Sequence, residues 1–264
     1  MGILNLTEDS FYDGGKYNNL KKCLSQCEKM IKEGAHFIDI GVHSSKPGSD
    51  IIDPKHEKKL LLPYLEEILK EFNEVYFSID TYNSEIAKIS IEMGISIIND
   101  ISAGSIDDQM FSILSKYQIP YVIMHMKGKP DVMQKKPEYK NVTGEITDFL
   151  SKKIKHANKL GIKNIIIDPG FGFGKSLDDN YKLMNMIPVL KKFGYPVLIG
   201  ISRKSMISKT LKTNAENSLN GTTILNTVGV LFGADIIRVH DVKEAVEIVK
   251  IFKKINKNKL HNEH

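Results

Sequence analysis

Four polar side chains follow apolar stretches of the sequence and could act together on a small molecule. They are Asp80, Asn99, Asp168 and Lys204. Asp80 ends the run Val75–Asp80 and Asp168 ends Asn164–Asp168, and both runs have the composition of buried parallel strands. A carboxylate accepts two parallel N–H hydrogen bonds, which is the pattern that the amino-pyrimidine edge of a flat heterocycle offers. The four residues therefore indicate a site for such a ring.

The same acids allow three other interpretations. Asp80 and Asp168 have the residue types of a glycosidase acid and base or of a divalent-metal site, and Asp168 could simply cap the next helix. The sequence has no tryptophan to form a sugar platform, and Lys204 would neutralise one carboxylate. These two facts weigh against the first two interpretations, whereas capping by Asp168 stays open.

A second group of residues is cationic and small. It consists of Asn5, Ser45, Lys46, Arg238 and His240. Arginine and lysine beside small hydrogen-bond donors suit a diphosphate, and Mg²⁺ could be shared between the diphosphate oxygens and a neutral ligand such as Asn5. Together the two groups describe a heterocycle joined to a diphosphate.

The segment after Asp168 is rich in glycine but does not match the common phosphate-binding loops. Glycine stands at positions 170, 172 and 174, and Lys175 follows. A P-loop requires glycine five residues before Gly174, where the chain has Pro169, and the spacing misses the dinucleotide fingerprint by one residue. The carboxylate of Asp168 is therefore the stronger chemical signal in this segment.

Apolar runs alternate with helical patterns along the chain. The predicted strands are 1–5, 37–41, 75–80, 96–99, 121–125, 164–168, 196–202 and 236–240. The first predicted helix ends at about Glu33. The other predicted helices span 57–72, 84–93, 107–116, 145–160, 178–191, 218–232 and 242–252. Eight strands, each followed by a crossover helix, are typical of an α/β protein with a closed (β/α)8 TIM barrel. We therefore expect one barrel domain over residues 1–252, with a missing or very short segment before strand one, and a flexible basic and polar tail over 253–264.

Polar side chains stand at or just beyond the carboxyl ends of the predicted strands. They are Asn5, Asp80, Asn99, His125, Asp168, Ser202, Arg238 and His240. Barrel enzymes place their chemistry on this face, so we expect a polar ligand pocket there. Individually, Asp80 could cap a helix through Thr81, and His125 could be a core histidine with satisfied hydrogen bonds.

Composition narrows the classes of protein that remain. The 264 residues include 37 lysines and arginines against 32 acidic residues, a mild excess that suits an anionic small molecule and does not require nucleic acid. Cys23 and Cys27 lie four residues apart on an apolar helix face and are expected in the core. Because no signal peptide, transmembrane run or disulfide framework is present, the sequence indicates a protein of the reducing cytoplasm without a membrane partner.

Seven short motifs, in chain order, resemble the dihydropteroate synthase family of pterin-binding barrels. They are Met1–Gly15, Ser78–Thr81, Ile98–Ile101, Met124–Met126, Asp168–Lys175, Ser202–Lys204 and Arg238–Asp241. The resemblance runs nearly end to end. It implies a transferase of folate biosynthesis that joins 6-hydroxymethyl-7,8-dihydropterin diphosphate to p-aminobenzoate, releasing pyrophosphate and forming 7,8-dihydropteroate with Mg²⁺ as cofactor. It also implies a homodimer and a target of sulfonamides.

The resemblance assigns a role to each site residue. The implied pterin ligands are Asp80, Asn99, Asp168 and Lys204, with Ile101 and Met124 as apolar walls. Of these, Asp80, Asp168 and Lys204 are the implied catalytic residues. The implied diphosphate ligands are Asn5, Ser45, Lys46, Arg238 and His240, with Asn5 on the metal. The implied p-aminobenzoate site comprises Pro47, Phe173 and Ser202, beside Lys204.

Three features depart from the common family pattern. Glu8 stands where proline is usual, His43-Ser-Ser-Lys-Pro47 replaces Glu-Ser-Thr-Arg-Pro, and the segment before strand one is absent or short. The first two departures fall in loops that should complete the p-aminobenzoate site, so they bear on p-aminobenzoate and sulfonamide binding. Two other functions stay open: a methyltetrahydrofolate methyltransferase, which needs no diphosphate subsite, and a non-catalytic barrel that binds a pterin or an anion.

Overall fold

A computed structural model describes residues 1–6, 15–42, 53–128 and 137–259. The strands in these ranges are β1 Gly2–Asn5, β2 Phe37–Gly41, β3 Tyr76–Asp80, β4 Ile97–Asp100, β5 Tyr121–Met124, β6 Ile165–Asp168, β7 Leu198–Ile199 and β8 Ile236–Ile237. The helices are α1 Gly15–Lys32, α2 Pro54–Glu71, α3 Ser84–Met93, α4 Gln109–Tyr117, α5 Val142–Lys159, α6 Leu177–Leu190, α7 Ser205–Leu211, α8 Leu219–Leu231 and α9 Val242–Lys259. Among the helices of these ranges, none is long and apolar enough to cross a bilayer.

The strands form a closed parallel barrel. β1 to β6 pair in chain order, and β7 pairs with β8. Parallel bridges between Ile167 and Val197 and between Gly2 and Val239 join the two groups on both sides. At the second junction the backbone N–H of Ile3 also donates to the carbonyl oxygen of Val239 at 2.9 Å. The TIM barrel predicted from the alternation of apolar runs and helical patterns is therefore confirmed.

Alternation of side chains along the strands separates two parts of the core. In β2, Ile38 and Ile40 are fully buried in the layer between the barrel and its helices. Inside the barrel, a small apolar layer is formed by Ile97, Val122, Ile166 and Leu198. Since successive side chains of a strand point to opposite faces, burying Ile38 and Ile40 against the helices places Asp39 inside the barrel.

Two elements differ from the sequence prediction near the end of the barrel. β7 comprises only Leu198–Ile199, not residues 196–202. The chain turns soon afterwards, with Arg203 at a φ of 55°. The short helix α7, which buries Met206 and Ile207, then precedes the predicted helix 218–232 and was not expected. The end of the predicted strand 196–202 and the residues after it therefore form the loop that carries Lys204 and the helix α7.

The last helix extends beyond its predicted end at Phe252, whereas the predicted boundary between barrel and tail at this residue stays a prediction. Helix α9 continues to Lys259. No glycine or proline occurs between residues 242 and 259, so nothing in the sequence stops the helix at Phe252. The side chains of residues 253–257 are exposed, as expected for a polar segment. The remaining part of the predicted tail, residues 260–264, lies outside the described ranges.

Candidate active site

Asp168 and Lys204 are two charged groups at the end of the barrel where the carboxyl ends of the strands lie. We call this end the mouth of the barrel. The Oδ1 atom of Asp168 accepts the backbone N–H of Gly170 at 2.7 Å. The Nζ atom of Lys204 donates to the carbonyl of Phe171 and lies 4.5 Å from the centre of the Phe173 ring. Burial raises the pKa of Asp168, and the Lys204 charge opposes this shift. Burial lowers the pKa of Lys204 to about 8, which Asp168 opposes.

A fully buried carboxylate that the sequence reasoning missed, Asp39, connects three of the predicted residues. Its Oδ2 atom accepts from Asn99 Nδ2 at 2.9 Å and from Arg238 Nε at 2.6 Å. Arg238 also donates from Nη2 to Asp80 Oδ2 at 2.9 Å. The available signal was the position of Asp39 within Phe37–Gly41, where alternation with the flanking isoleucines directs it inward.

Arg238 joins the two subsites that the sequence separated. The sequence assigned Arg238 to a diphosphate and Asp80 to a heterocycle, but the two side chains are hydrogen-bonded to each other. Burial lowers the pKa of Arg238, the Asp39 and Asp80 carboxylates raise it, and the net effect is an increase. Gly41 lies directly beside them, because a Cβ there would be 3.1 Å from the Cβ of Asp80. The residues predicted for the heterocycle and for the diphosphate therefore meet at Arg238.

His240 lies at the outer edge of the mouth and is oriented by Ser202. The Oγ atom of Ser202 accepts the backbone N–H of His240 at 3.2 Å and lies 3.0 Å from its Nδ1. Although the ring is partly in solvent, desolvation and the Arg238 charge lower the pKa of His240 to about 4. In the tautomer whose Nδ1 accepts the Ser202 hydroxyl hydrogen, the neutral ring carries its own proton on Nε2, which is then a donor. Ser202, predicted for p-aminobenzoate, thus contacts His240, which was predicted for the diphosphate.

An apolar cluster lines one side of the mouth. It consists of Tyr82, Ile101, Met124 and Phe173, with Ile106 and Met126 packed against it. Both predicted pterin walls, Ile101 and Met124, therefore lie together with the predicted aminobenzoate residue Phe173. Tyr82 was missed, although it follows the Ser78–Thr81 motif directly. Since Lys204 lies over the Phe173 ring, a flat ligand against this cluster stays close to a buried cation.

The glycine-rich loop after β6 is shaped by packing against the β5 loop. Gly170 has a φ of 72°, and a Cβ there would overlap the carbonyl oxygen of His125. The buried Lys175 Nζ contacts His125 Nδ1 at 3.1 Å and the carbonyl oxygens of His125 and Phe173 at 3.2 and 2.9 Å. Burial lowers the pKa of His125 to about 3, so its neutral ring can accept from Lys175. His125, placed at the rim by the sequence, is thus a core histidine that holds the loop carrying Phe173.

The loops after β7 and β8 are tied together by an ion pair between Arg203 and Asp241. Arg203 donates from Nε and Nη2 to the two carboxylate oxygens of Asp241 at 3.0 and 2.8 Å. Its Nη1 atom donates to the carbonyl oxygens of Ala215 and Glu216 at 2.9 and 2.7 Å. This two-pronged contact fixes Lys204 relative to the β8 loop. It explains why the two motifs contain charged residues that are not candidate ligands.

Asn5 ends β1, next to β8 in the barrel. Its amide oxygen has the hard, neutral chemistry that Mg²⁺ accepts, and Mg²⁺ commonly takes one or two protein oxygens together with substrate phosphates. Over the described ranges, no group of three or more His, Cys, Asp or Glu side chains is placed to hold a metal ion. The predicted residues Ser45, Lys46 and Pro47, and the departures at Glu8 and His43, lie outside the described residues.

Comparison with known proteins identifies the family. Residues 1–240 match the family model described as pterin binding enzyme. The dihydropteroate synthase of Bacillus subtilis is 39% identical over 265 residues, which cover 99% of this chain and 90% of that protein. The crystal structure of the Yersinia pestis dihydropteroate synthase with a sulfonamide drug has a TM-score of 0.90 at 36% identity, covering 97% of this chain and 94% of that one. The Xanthomonas albilineans dihydropteroate synthase in complex with 7,8-dihydropteroate has a TM-score of 0.86 at 30% identity, covering 97% and 92%. The chain therefore belongs to the pterin-binding enzymes, and within them to the dihydropteroate synthases, the transferases of folate biosynthesis.

Proposed function

We propose that the mouth of this barrel condenses 6-hydroxymethyl-7,8-dihydropterin diphosphate with p-aminobenzoate to give 7,8-dihydropteroate and pyrophosphate. The observation that carries this proposal is the network in which Arg238 bridges Asp39 and Asp80. It puts a buried guanidinium, suited to a diphosphate, in direct contact with a carboxylate suited to a pterin edge. A substrate with a pterin joined to a diphosphate would span this boundary.

The pterin subsite consists of inward side chains at the ends of β3, β4 and β6 together with Lys204 in the loop after β7. Asp80 and Asp168 accept the N–H groups of the pyrimidine edge, while Asn99 and Lys204 supply donors and an amide oxygen. Ile101 and Met124, which pack with Phe173, cover the faces of the ring. Burial of these polar groups makes each missing hydrogen bond costly, so the subsite selects a ring whose polar edge matches all four.

The diphosphate subsite is formed by Asn5, Arg238 and His240, together with Ser45 and Lys46 of the second loop. Arg238 and the Nε2–H of His240 donate to the leaving group, and Lys46 adds a second cation. Mg²⁺, held by the amide oxygen of Asn5, would stabilise negative charge on the diphosphate when bound.

The reaction breaks the bond between the pterin methylene carbon and the diphosphate oxygen, and the electron pair leaves on the diphosphate. The resulting methylene cation is delocalised into the dihydropterin ring and stabilised by the Asp168 and Asp80 carboxylates. The amine nitrogen of p-aminobenzoate then bonds to the methylene carbon and loses a proton to solvent or pyrophosphate. Since an arylamine is unprotonated at neutral pH, no strong general base is required.

The p-aminobenzoate subsite is assigned to Phe173, Pro47 and Ser202, next to Lys204. Phe173 supports this assignment because it belongs to the apolar cluster of the mouth and carries Lys204 over its ring. A sulfonamide resembles p-aminobenzoate in shape and charge, and the Yersinia pestis relative was crystallised with such a drug. We therefore propose that this site also binds sulfonamides.

The protein is further proposed to work as a cytoplasmic homodimer. Free cysteines buried at positions 23 and 27 support a reducing compartment. Exposed apolar side chains of α8 and α9 support an interface between two copies; they include Ile224, Leu231 and Ile251.

A coupled assay of pyrophosphate release tests the proposed reaction. We expect release that requires both the pterin diphosphate and p-aminobenzoate and that matches the dihydropteroate formed. Transfer of a methyl group from methyltetrahydrofolate, with no pyrophosphate release, would favour a methyltransferase instead. Tight binding of the pterin without any product would favour a non-catalytic barrel.

A further inference from the structure

We infer that Asp39 is a positioning residue that keeps Arg238 directed at the diphosphate while the pterin occupies the carboxylate of Asp80. This role rests on the proposed function, and it concerns a residue outside the ligand sets proposed above. Its evidence is the pair of hydrogen bonds that Asp39 Oδ2 accepts, from Arg238 Nε at 2.6 Å and from Asn99 Nδ2 at 2.9 Å.

Asp39 lies deeper in the barrel than Asp80, which is proposed to contact the pterin. Asp39 is opposite Ser78 in the parallel register of β2 and β3, two residues before Asp80 along β3. It therefore lies one layer deeper in the barrel than the carboxylate proposed for the pterin. The Asp39 residue is 0% exposed, whereas the side chain of Asp80 retains 10% exposure. A ligand entering the mouth can reach Asp80, but Asp39 stays covered.

The two carboxylates hold different atoms of the same guanidinium. Asp80 Oδ2 accepts from Nη2 of Arg238, and that oxygen belongs to the edge that the pterin would use. When the pterin N–H groups take over Asp80, Nη2 loses its partner but Nε remains bound to Asp39. Because the guanidinium is planar and rigid, an anchored Nε limits where Nη2 can point. With Asp39 in place, the Nη2 donor of Arg238 is free to bind the diphosphate while the Arg238 side chain stays anchored through Nε.

Simple charge compensation is the competing explanation. If Asp39 only neutralised Arg238, its loss would affect folding and would weaken all ligands alike. If Asp39 positions Arg238, its loss must weaken the diphosphate substrate more than the bare pterin. The contact with Asn99 does not confuse this comparison, since Asn99 belongs to the pterin subsite and affects both ligands equally.

The test is a double-mutant cycle read out as a ratio of two dissociation constants. For each variant, calorimetry gives the dissociation constants of 6-hydroxymethyl-7,8-dihydropterin and of its diphosphate, with Mg²⁺ and without p-aminobenzoate. In Asp39→Asn we expect the preference for the diphosphate to fall about tenfold, the size of one lost charge-assisted hydrogen bond. In an Arg238→Gln background, the same Asp39→Asn change should leave the preference within about threefold, because the residue through which Asp39 acts is gone.

Ser78→Ala is the matched control. Ser78 faces the same interior layer, is fully buried, and its Oγ has no hydrogen-bond partner among the described residues. Its removal should leave the preference for the diphosphate unchanged. If Asp39→Asn fails to fold, Asp39→Glu replaces it, because the longer side chain keeps the charge but moves the carboxylate away from Arg238 Nε. A lower preference for the diphosphate in Asp39→Glu supports the positioning role, and an unchanged preference overturns it.

An unchanged preference in Asp39→Asn, or independent effects of the two substitutions, would overturn the inference. A wild-type protein that forms dihydropteroate while giving this result would leave the proposed function intact. A wild-type protein that forms no dihydropteroate would instead reject the proposed function itself.

Discussion

Lys204 is a residue of the proposed pterin subsite whose charge depends on pH in the working range. Its pKa is lowered to about 8 by burial, so the folded ligand-free protein loses this proton at a lower pH than an exposed lysine. If the pterin binds the ammonium form, its dissociation constant is flat below pH 8 and rises above it, up to tenfold per pH unit. Calorimetry of the bare pterin from pH 6 to 9.5 measures this directly.

Two variants test whether Lys204 causes the rise of the pterin dissociation constant above pH 8, which we call the inflection. Lys204→Met should bind the pterin more weakly at every pH and should lose the inflection. Lys209→Met removes an exposed lysine from the neighbouring helix α7 and should retain it. An inflection that survives in Lys204→Met would belong to another group, and the role given to Lys204 would be wrong.

Residue types at strand ends made much of the site predictable. Asp80, Asn99, Asp168 and Arg238 could be placed in one pocket because parallel strands of a barrel end on one face. Asp39 could not be chosen from composition, since a lone carboxylate in a short apolar run has no partner in the sequence. Its partners, Asn99 and Arg238, come from β4 and β8 and meet it only once the barrel closes.

The shape of the loop after β6, residues 169–176, decides where Phe173 and Lys204 lie. The glycines of this loop lie against protein atoms. A Cβ on Gly170 would meet the carbonyl of His125, and one on Gly174 would meet the carbonyl of Lys127. Such contacts depend on the packing of two loops, which neither local propensity nor spacing encodes.

Gly170→Ala tests this packing against a control with the same backbone conformation. Gly194 has a φ of 78°, close to the 72° of Gly170, and its Cβ position is open. Gly194→Ala should therefore cost only the strain of a left-handed alanine, about 1 kcal/mol in the free energy of unfolding. Gly170→Ala adds a clash with the backbone, so we expect more than about 2 kcal/mol and a large loss of turnover.

Denaturant unfolding measures the free energy of unfolding of both variants, and steady-state kinetics measure their turnover. Equal losses of stability would mean that the β6 loop can move away from His125 without cost. Normal turnover in Gly170→Ala would mean that the position of Phe173 does not depend on this contact.

For the whole molecule, the open question is what covers the apolar side chains on its outer helices. The predicted helix 218–232 contains five large apolar residues that suit an interface or the core equally: Leu219, Ile224, Val228, Leu231 and Phe232. The structure divides them, because Val228 and Phe232 pack against the core whereas Ile224 and Leu231 are 53% and 57% exposed. Periodicity alone could not make this division, since α8 is apolar on most of its circumference.

We expect Ile224→Lys to convert a dimer into a monomer, because it places a charge in a desolvated interface. Sedimentation equilibrium at micromolar concentration measures the change. Tyr76→Lys is the control, since Tyr76 is 65% exposed at the start of β3, at the other end of the strands from the mouth. A wild-type monomer at this concentration, or a dimer in Ile224→Lys, would reject the proposed interface.

Binding of a pterin by the buried carboxylates at the mouth of this barrel is tested by Asp168→Asn. The substitution keeps the size of the side chain but turns one acceptor into a donor, in a position where the loss of a buried charged partner costs on the order of 2–5 kcal/mol. Asp178→Asn, at an exposed position on α6, is the control.

Calorimetric titration of both variants with 6-hydroxymethyl-7,8-dihydropterin is the deciding measurement. We predict that pterin affinity falls by at least about thirtyfold in Asp168→Asn, the lower end of that cost, and stays at the wild-type value in Asp178→Asn. Wild-type affinity in Asp168→Asn would contradict the assignment of this mouth as the pterin site.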